Sequence, residues 1–235
     1  MKIILLGYGK MGKEIEKIAI DRKHQIILKV DEHNSATITK EELSKGDVAI
    51  EFSTPDTVLS NIEKCFAVNL PIVVGTTGWY DKFEEIKSNC IKNNKSLFYA
   101  SNFSLGVNLF FKVNKYLAEM MNNYPAYEIS MEEIHHIYKL DKPSGTAITL
   151  ANQILEKIKR KKNWSIEKNN NDSIFINDIR EGEVPGTHIV KYTSEIDDIE
   201  IMHKAHNRKG FAFGAVLAAE FLYNKKGIFT MEDML

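Results

Sequence analysis

The first thirty-one residues constrain the fold most. Lys2 to Leu6 is an unbroken apolar run, as expected of a strand buried on both faces. It leads into GYGKMG, which sets Gly7, Gly9 and Gly12 in G-x-G-x-x-G spacing. Met11, Ile15, Ile18 and Ala19 then give a helical apolar face, and a second strand, Gln25 to Val30, ends at Asp31. Strand, glycine turn, helix, strand and terminal acid together predict a dinucleotide site. Gly7 permits the tight turn, Gly9 lets backbone approach a pyrophosphate, and Gly12 allows helix and strand to pack closely. Asp31 is placed to accept hydrogen bonds from ribose hydroxyls. With Glu32 beside it and no arginine following, the charge favours NADH over NADPH.

The alternation continues. Asp47 to Phe52, Pro71 to Val74 and Ser96 to Ala100 read as strands, and helices follow Ser53-Thr54-Pro55 and begin near Trp79. Gly75, Thr76 and Thr77, then Ala100, Ser101, Asn102 and Phe103, fall at strand C-terminal ends, where open α/β sheets bind ligands. A strongly apolar helix runs from Gly106 to Met121, with Leu109, Val113, Tyr116, Leu117 and Met120 read as core. Beyond Asn122 the pattern changes to strands with one helix, the composition of an α+β domain. Strands are expected over Ser173 to Asp178, Thr187 to Thr193 and Asp198 to Lys204, and an Ala-rich helix over Phe211 to Tyr223. The polar RKKNWSIEKNNND run reads as a solvated loop or a short irregular piece.

Composition narrows the partners. A hydrophobic fraction of 43% supplies a core, while a net charge of −1 with mixed signs argues against a nucleic-acid surface. The absence of a membrane-length apolar run and of a leader pattern predicts a cytoplasmic protein with no membrane partner. Cys65 and Cys90 form no CxxC pair and read as buried free thiols. His203 and His206 lack a third ligand of suitable type and spacing, so no metal is expected. Arg208 suits a substrate carboxylate, or simply the surface.

Chemistry concentrates in EIHHIYKLDKPSGT, Glu133 to Thr146. Ser144 is a natural N-cap for a helix whose apolar face is Ala147, Leu150, Ala151, Ile154, Leu155 and Ile158. The amides of Ser144, Gly145 and Thr146 are then read as an unpaired anion cradle, with Gly145 open to close approach. With Glu128 to Tyr138 as a strand, His135 and Lys139 share parity and face one ligand, while His136 points the other way. An imidazole and an ammonium beside an anion cradle outline a reaction site.

GYGKMG, EFSTP, VVGTTGW, ASNFSLGVN, EIHHIYKLDKPSGTA and HKAHNR, in this order, resemble the 4-hydroxy-tetrahydrodipicolinate reductase (dihydrodipicolinate reductase) family over nearly the whole chain. The resemblance implies an α/β architecture: a Rossmann-type parallel-sheet domain, residues 1–105 and 208–235, completed by the C-terminal helix. Residues 106–207 would form an α+β substrate and oligomerisation domain of a homotetramer. It implies reduction, with loss of water, of a small cyclic dicarboxylate on the diaminopimelate route to lysine. By motif, His135 and Lys139 match proton-transferring residues. His136, Ser144, Gly145 and Thr146 match substrate contacts. Gly7, Tyr8, Gly9, Lys10, Met11 and Gly12 match cofactor contacts, as do Asp31, Gly75, Thr76, Thr77, Ala100, Ser101, Asn102 and Phe103. The glycine loop is one residue shorter than in the best-known members, and the chain is short for the family. Rival readings are another two-domain NAD-dependent dehydrogenase, such as an aspartate or semialdehyde enzyme, and a dinucleotide sensor without chemistry. An acylating enzyme would need a cysteine nucleophile near the central stretch. A sensor would have no use for His135, Lys139 and the PSGT turn together.

Overall fold

In the computed structural model, which describes residues 1–168, 171–207 and 209–235, the chain divides into two units, Met1–Leu105 with Lys209–Leu235, and Gly106–Arg208. In chain order the elements are β1 (Lys2–Leu6), α1 (Lys10–Asp21), β2 (Gln25–Val30), α2 (Lys40–Leu43), β3 (Val48–Glu51) and α3 (Pro55–Ala67). Next come β4 (Ile72–Val74), α4 (Phe83–Lys92), β5 (Ser96–Tyr99), α5 (Leu105–Met121), β6 (Glu128–His135) and α6 (Gly145–Lys157). The last are β7 (Asn163–Ser165), β8 (Ser173–Arg180), β9 (Thr187–Thr193), β10 (Asp198–Lys204), α7 (Lys209–Leu222), β11 (Gly227–Phe229) and α8 (Met231–Met234).

In the first unit six parallel strands run in the order β11-β5-β4-β3-β1-β2. Side chains alternate across it. Ile3, Leu5, Ile50 and Phe98 pack beneath α1 and α7, whereas Ile4, Leu6, Ala49 and Leu97 pack against α3 and α4. The sequence carries β1 and β2 to one side and β3 to the other, so the C-terminal ends of β1 and β3 form the topological switch point. The Ala-rich α7 belongs to this unit because small residues let it lie close. A Cβ at Gly214 would overlap the Phe103 carbonyl oxygen. The tail after α7, not expected to hold a strand, adds β11 in parallel to β5. Cys65 and Cys90 are buried free thiols of this unit, and burial pushes Cys90 up to about 11.

The second unit is a mixed sheet in the order β10-β9-β6-β8-β7, antiparallel through β9 and parallel from β6 to β7. Its inner face carries Ile129, Met131, Ile174, Ile176, Val190 and Tyr192 against α5 and α6. Buried Asn114 ties the two helices, donating to the Leu150 carbonyl and to Gln153, each at 3.1 Å. The expected core face of α5 is corrected here. Leu109 is 46% exposed and Tyr116 67%, Val113 and Met120 are exposed too, and only Leu117 of that set is buried. The buried stripe is Val107, Phe110, Asn114, Leu117, Ala118 and Met121. A helix apolar on both sides satisfies the i, i+3, i+4 pattern twice, and its polar Asn114 hid the true inner face. Within the polar run, β7 pairs with β8, and the buried Lys161 amine holds the segment by donating to the Asn171 carbonyl at 2.6 Å and the Ser173 carbonyl at 3.2 Å. No described helix is long and apolar enough to cross a membrane.

Candidate active site

The glycine turn behaves as its spacing predicts. Gly7 has φ +102°, and a Cβ there would overlap the Phe52 carbonyl oxygen. A Cβ on Gly12 would overlap the Gly7 carbonyl oxygen, while nothing lies within 4 Å of one on Gly9. Gly9 caps α1 without a side-chain hydrogen bond, so the first amides of α1 remain for an anion. A cavity of about 550 Å³ opens here, lined among others by Gly7, Tyr8, Gly9, Asp31, Phe52 and Ser53. A turn that only glycine can form, an open Gly9 and a helix N-terminus fit a dinucleotide pyrophosphate. Asp31 Oδ1 accepts from the His33 amide at 2.9 Å, which steadies the carboxylate at the end of β2. Tyr8 donates to Glu16, whose carboxylate also pairs with Lys29 at 2.5 Å, and Lys29 lies 4.9 Å from the Tyr8 ring centre.

The remaining cofactor candidates divide. Gly75 leaves room for the Phe52 ring, which a Cβ would overlap. Thr76 Oγ1 accepts from the Ser53 amide at 2.8 Å, joining the loops after β3 and β4. Thr77 and Ser101 are exposed, Lys10 is exposed, and Met11, Ala100 and Asn102 are half-buried. The Phe103 ring is buried, 5.5 Å from Phe52 and 5.9 Å from Phe98, so its side chain packs in the core. Beneath the crevice lies a group the sequence reading overlooked. Glu51, wholly buried, accepts from the Ser53 amide at 3.1 Å and from Asn61 at 3.3 Å, and burial raises its pKa.

In the second unit the inner face of the sheet changes character along the strands. Past Met131 and Val190 it becomes Glu133, His135, Asp178, Arg180 and His188, brought side by side by the pairs Glu133↔His188, Glu133↔Asp178 and His135↔Arg180. Glu133 is 0% exposed. Its Oε1 accepts from the Ser144 amide at 2.8 Å and lies 3.6 Å from Arg180 Nη2. Its Oε2 accepts from the Ser144 hydroxyl and lies 3.4 Å from both His135 Nδ1 and His188 Nε2. Burial opposes this charge, but hydrogen bonds from His188 and Ser144 outweigh it and hold the carboxylate below its ordinary range. His135 moves down, to about 4, chiefly through burial, with Glu133 opposing. Gly186 (φ +153°) makes room for this imidazole, because a Cβ there would stand 3.1 Å from Nε2.

Two expectations about the central stretch are corrected. The strand ends at His135 rather than Tyr138, so shared parity does not place Lys139. Residues 136–138 instead turn: His136 N–H donates to the Val184 carbonyl at 2.9 Å and Lys139 N–H to the His136 carbonyl at 3.1 Å. The Lys139 ammonium meets both Asp141 oxygens at 2.8 Å, yet it acts on the charge of His135. Ser144 is the second correction. It is the N-cap of α6, accepting from the Ala147 amide at 3.2 Å, but its own amide and hydroxyl are spent on Glu133. The cradle therefore narrows to Gly145 and Thr146, the first residues of α6, whose amides have no intrahelical acceptor. Space beyond Gly145 is open to 4 Å.

Glu133, His135 and His188 offer ligand atoms within 4.8 Å of one another. Arg180 and Ser144 already neutralise and saturate that carboxylate, which leaves a cation little to gain. His203, weighed above as a ligand, instead lies with its ring 6.1 Å from that of Phe110. Arg208 lies outside the described residues.

A parallel sheet with a glycine-cradled crevice, and a mixed sheet presenting imidazoles beside a helix N-terminus, define a nicotinamide-dependent oxidoreductase. Residues 1–103 match the family described as dihydrodipicolinate reductase, N-terminus, and residues 106–235 match its C-terminus. The chain is 51% identical to the 4-hydroxy-tetrahydrodipicolinate reductase of Christiangramia forsetii, covering 100% of this chain and 98% of that one. It is 34% identical to the enzyme of that name from Thermosipho africanus, covering 100% and 98%. A dipicolinate-bound dihydrodipicolinate reductase from Paenisporosarcina shares the fold, with a TM-score of 0.82, 23% identity and 100% of both chains covered. The chain belongs to the dihydrodipicolinate reductase family.

Proposed function

We propose that this chain reduces 4-hydroxy-tetrahydrodipicolinate to tetrahydrodipicolinate with loss of water, in the diaminopimelate route to lysine. The observation that carries the reading is one buried carboxylate, Glu133, holding both the His135 imidazole and the N-cap of the Gly145-Thr146 cradle. The dipicolinate of the Paenisporosarcina relative is a planar cyclic dicarboxylate of the same class. A reduced nicotinamide, when bound, supplies the hydride. The chain supplies the rest. Gly145 and Thr146 amides take one substrate carboxylate, with His136 assisting. Expulsion of the 4-hydroxyl as water leaves a conjugated system. Hydride arrival at C4 pushes electrons to the ring nitrogen, which takes its proton from the His135–Lys139 pair. In the free chain His135 is neutral at neutral pH, and the substrate's two negative charges draw its pKa upward. The test is oxidation of NADH in the presence of freshly made synthase product. Turnover that requires both components supports the reading; turnover on aspartate or a semialdehyde instead would replace it.

Gly7 to Gly12 and Asp31 hold the dinucleotide in this reading, with the loops after β4 and β5 toward the nicotinamide. Asp31 and Glu32 make NADH the better cofactor, because a 2′-phosphate would meet their charge. We expect kcat/KM to favour NADH by about tenfold after solvent screening, and Asp31→Ala to narrow the gap. A clear NADPH preference in the unaltered enzyme would defeat this.

Assembly as a homotetramer follows the same reading. The outer face of the second sheet carries Ile134, Ile179, Ile189 and the exposed Met202, and its described inner-face residues alone form the core. Light scattering is expected to give four times the chain mass, and Met202→Lys with Ile189→Asp to reduce it. A monomer with full activity would contradict it.

A further inference from the structure

We infer that Glu133 and Arg180 are positioning residues: buried behind the site, they hold the proton-transferring groups and the anion cradle in one geometry. The inference deepens the proposed function and rests on it. Glu133 is fixed to the cradle through the Ser144 amide at 2.8 Å and sets its charge 3.4 Å from His135 Nδ1. That Nδ1 is buried and makes no hydrogen bond, and the Glu133 carboxylate stands 3.4 Å from it as the one negative charge facing the ring among the described residues. A carboxylate facing Nδ1 favours the form of the ring that carries a proton there, which leaves Nε2 for the reaction, and Nε2 is the nitrogen beside Gly186.

Arg180 does for the lysine what Glu133 does for the histidine. Its Nε donates to the Lys139 carbonyl at 3.3 Å and its Nη2 to the Asp141 carbonyl at 2.6 Å. The fork thus clamps the turn carrying Lys139 on both sides, a geometry one ammonium cannot reproduce. The guanidinium is fixed from behind by Asp178, at 2.8 Å from Nη1 and 3.0 Å from Nη2, and lies 3.6 Å from Glu133. Imidazole, ammonium turn and cradle therefore share one buried pair. A shift of either partner displaces all three, and small misplacements of a reacting group are costly.

The groups facing His135 are Glu133 on its own strand, His188 on β9, Arg180 on β8 and Lys139 in the following turn. Of these only Glu133 is negative, and it alone favours the imidazolium. If a protonated His135 drives the reaction, kcat falls as pH rises through its pKa in the complex. Removing the Glu133 charge must move that fall to lower pH.

The experiment compares Glu133→Gln, Glu133→Asp, Arg180→Lys and His135→Gln in the full chain. Each is measured for kcat and KM against pH, NADH affinity and thermal midpoint. Glu133→Gln should raise substrate KM about tenfold and shift the alkaline fall of kcat down by about one pH unit, with NADH affinity unchanged. Glu133→Asp, which keeps the charge and loses reach, should raise KM and leave the pH position in place. It carries the Glu133 test if the glutamine variant does not fold. Arg180→Lys should lower kcat about tenfold. Folded Glu133 and Arg180 variants with unaltered kcat, KM and pH profile would overturn the inference. So would thermal midpoints that fall while these parameters hold. Full activity in His135→Gln would overturn the functional reading itself, whereas its loss beside normal Glu133 and Arg180 variants would overturn the positioning alone.

Discussion

Replacing His135 by glutamine is expected to lower kcat by about 10²–10⁴-fold, the range that general acid catalysis contributes. NADH affinity should hardly change, because the glycine crevice belongs to the other unit. Lys139→Met should cause a loss of similar order. The ammonium is paired with Asp141 at 2.8 Å and lies within electrostatic reach of the imidazole. If the two groups serve one proton transfer, the double variant should lose little more than the worse single one. His136→Gln should act mainly through KM. Single-turnover rates with NADH-affinity measurements decide this, and near-normal turnover in both single variants would sink the mechanism.

The second large effect separates two glycines of one motif. Gly7→Ala forces a side chain into a φ of +102° and into the Phe52 carbonyl, so it should cost several kcal/mol of stability. Gly9→Ala meets nothing within 4 Å in the free chain, so its thermal midpoint should stay close to that of the parent. Its Cβ would instead occupy the approach of the pyrophosphate, and NADH affinity should fall by at least about tenfold. Calorimetry paired with NADH titration reads both. Equal destabilisation by the two substitutions would deny Gly9 a ligand-facing role.

What the sequence made legible is local. Gly12 answers to Gly7 a few residues away and Gly7 to one adjoining strand end, and Ser144 caps the helix that the apolar spacing predicted. Periodicity also found both sheets, because a doubly covered strand and a singly covered one leave different patterns. The polar network escaped for a physical reason. Glu133 meets His188 and Arg180 only through the register of β6 with β9 and β8, and no local pattern encodes that pairing. One signal was there to be used: Glu133 has the inward parity of Ile129 and Met131, and an acid at an inward position needs partners. Glu133 itself also took the Ser144 amide that the local view had left free. On α5 the reverse happened, since two apolar faces competed and a buried asparagine disguised the inner one.

The most direct measurement of the central claim follows the hydride. The chain is incubated with freshly made synthase product and NADH deuterated at the transferring position, and the cyclic product is examined by NMR and mass spectrometry. The account predicts one deuterium per product molecule, on C4, in a product that has lost the 4-hydroxyl as water. Deuterium at another carbon, a product that retains the hydroxyl, or no transfer to this dicarboxylate would contradict it.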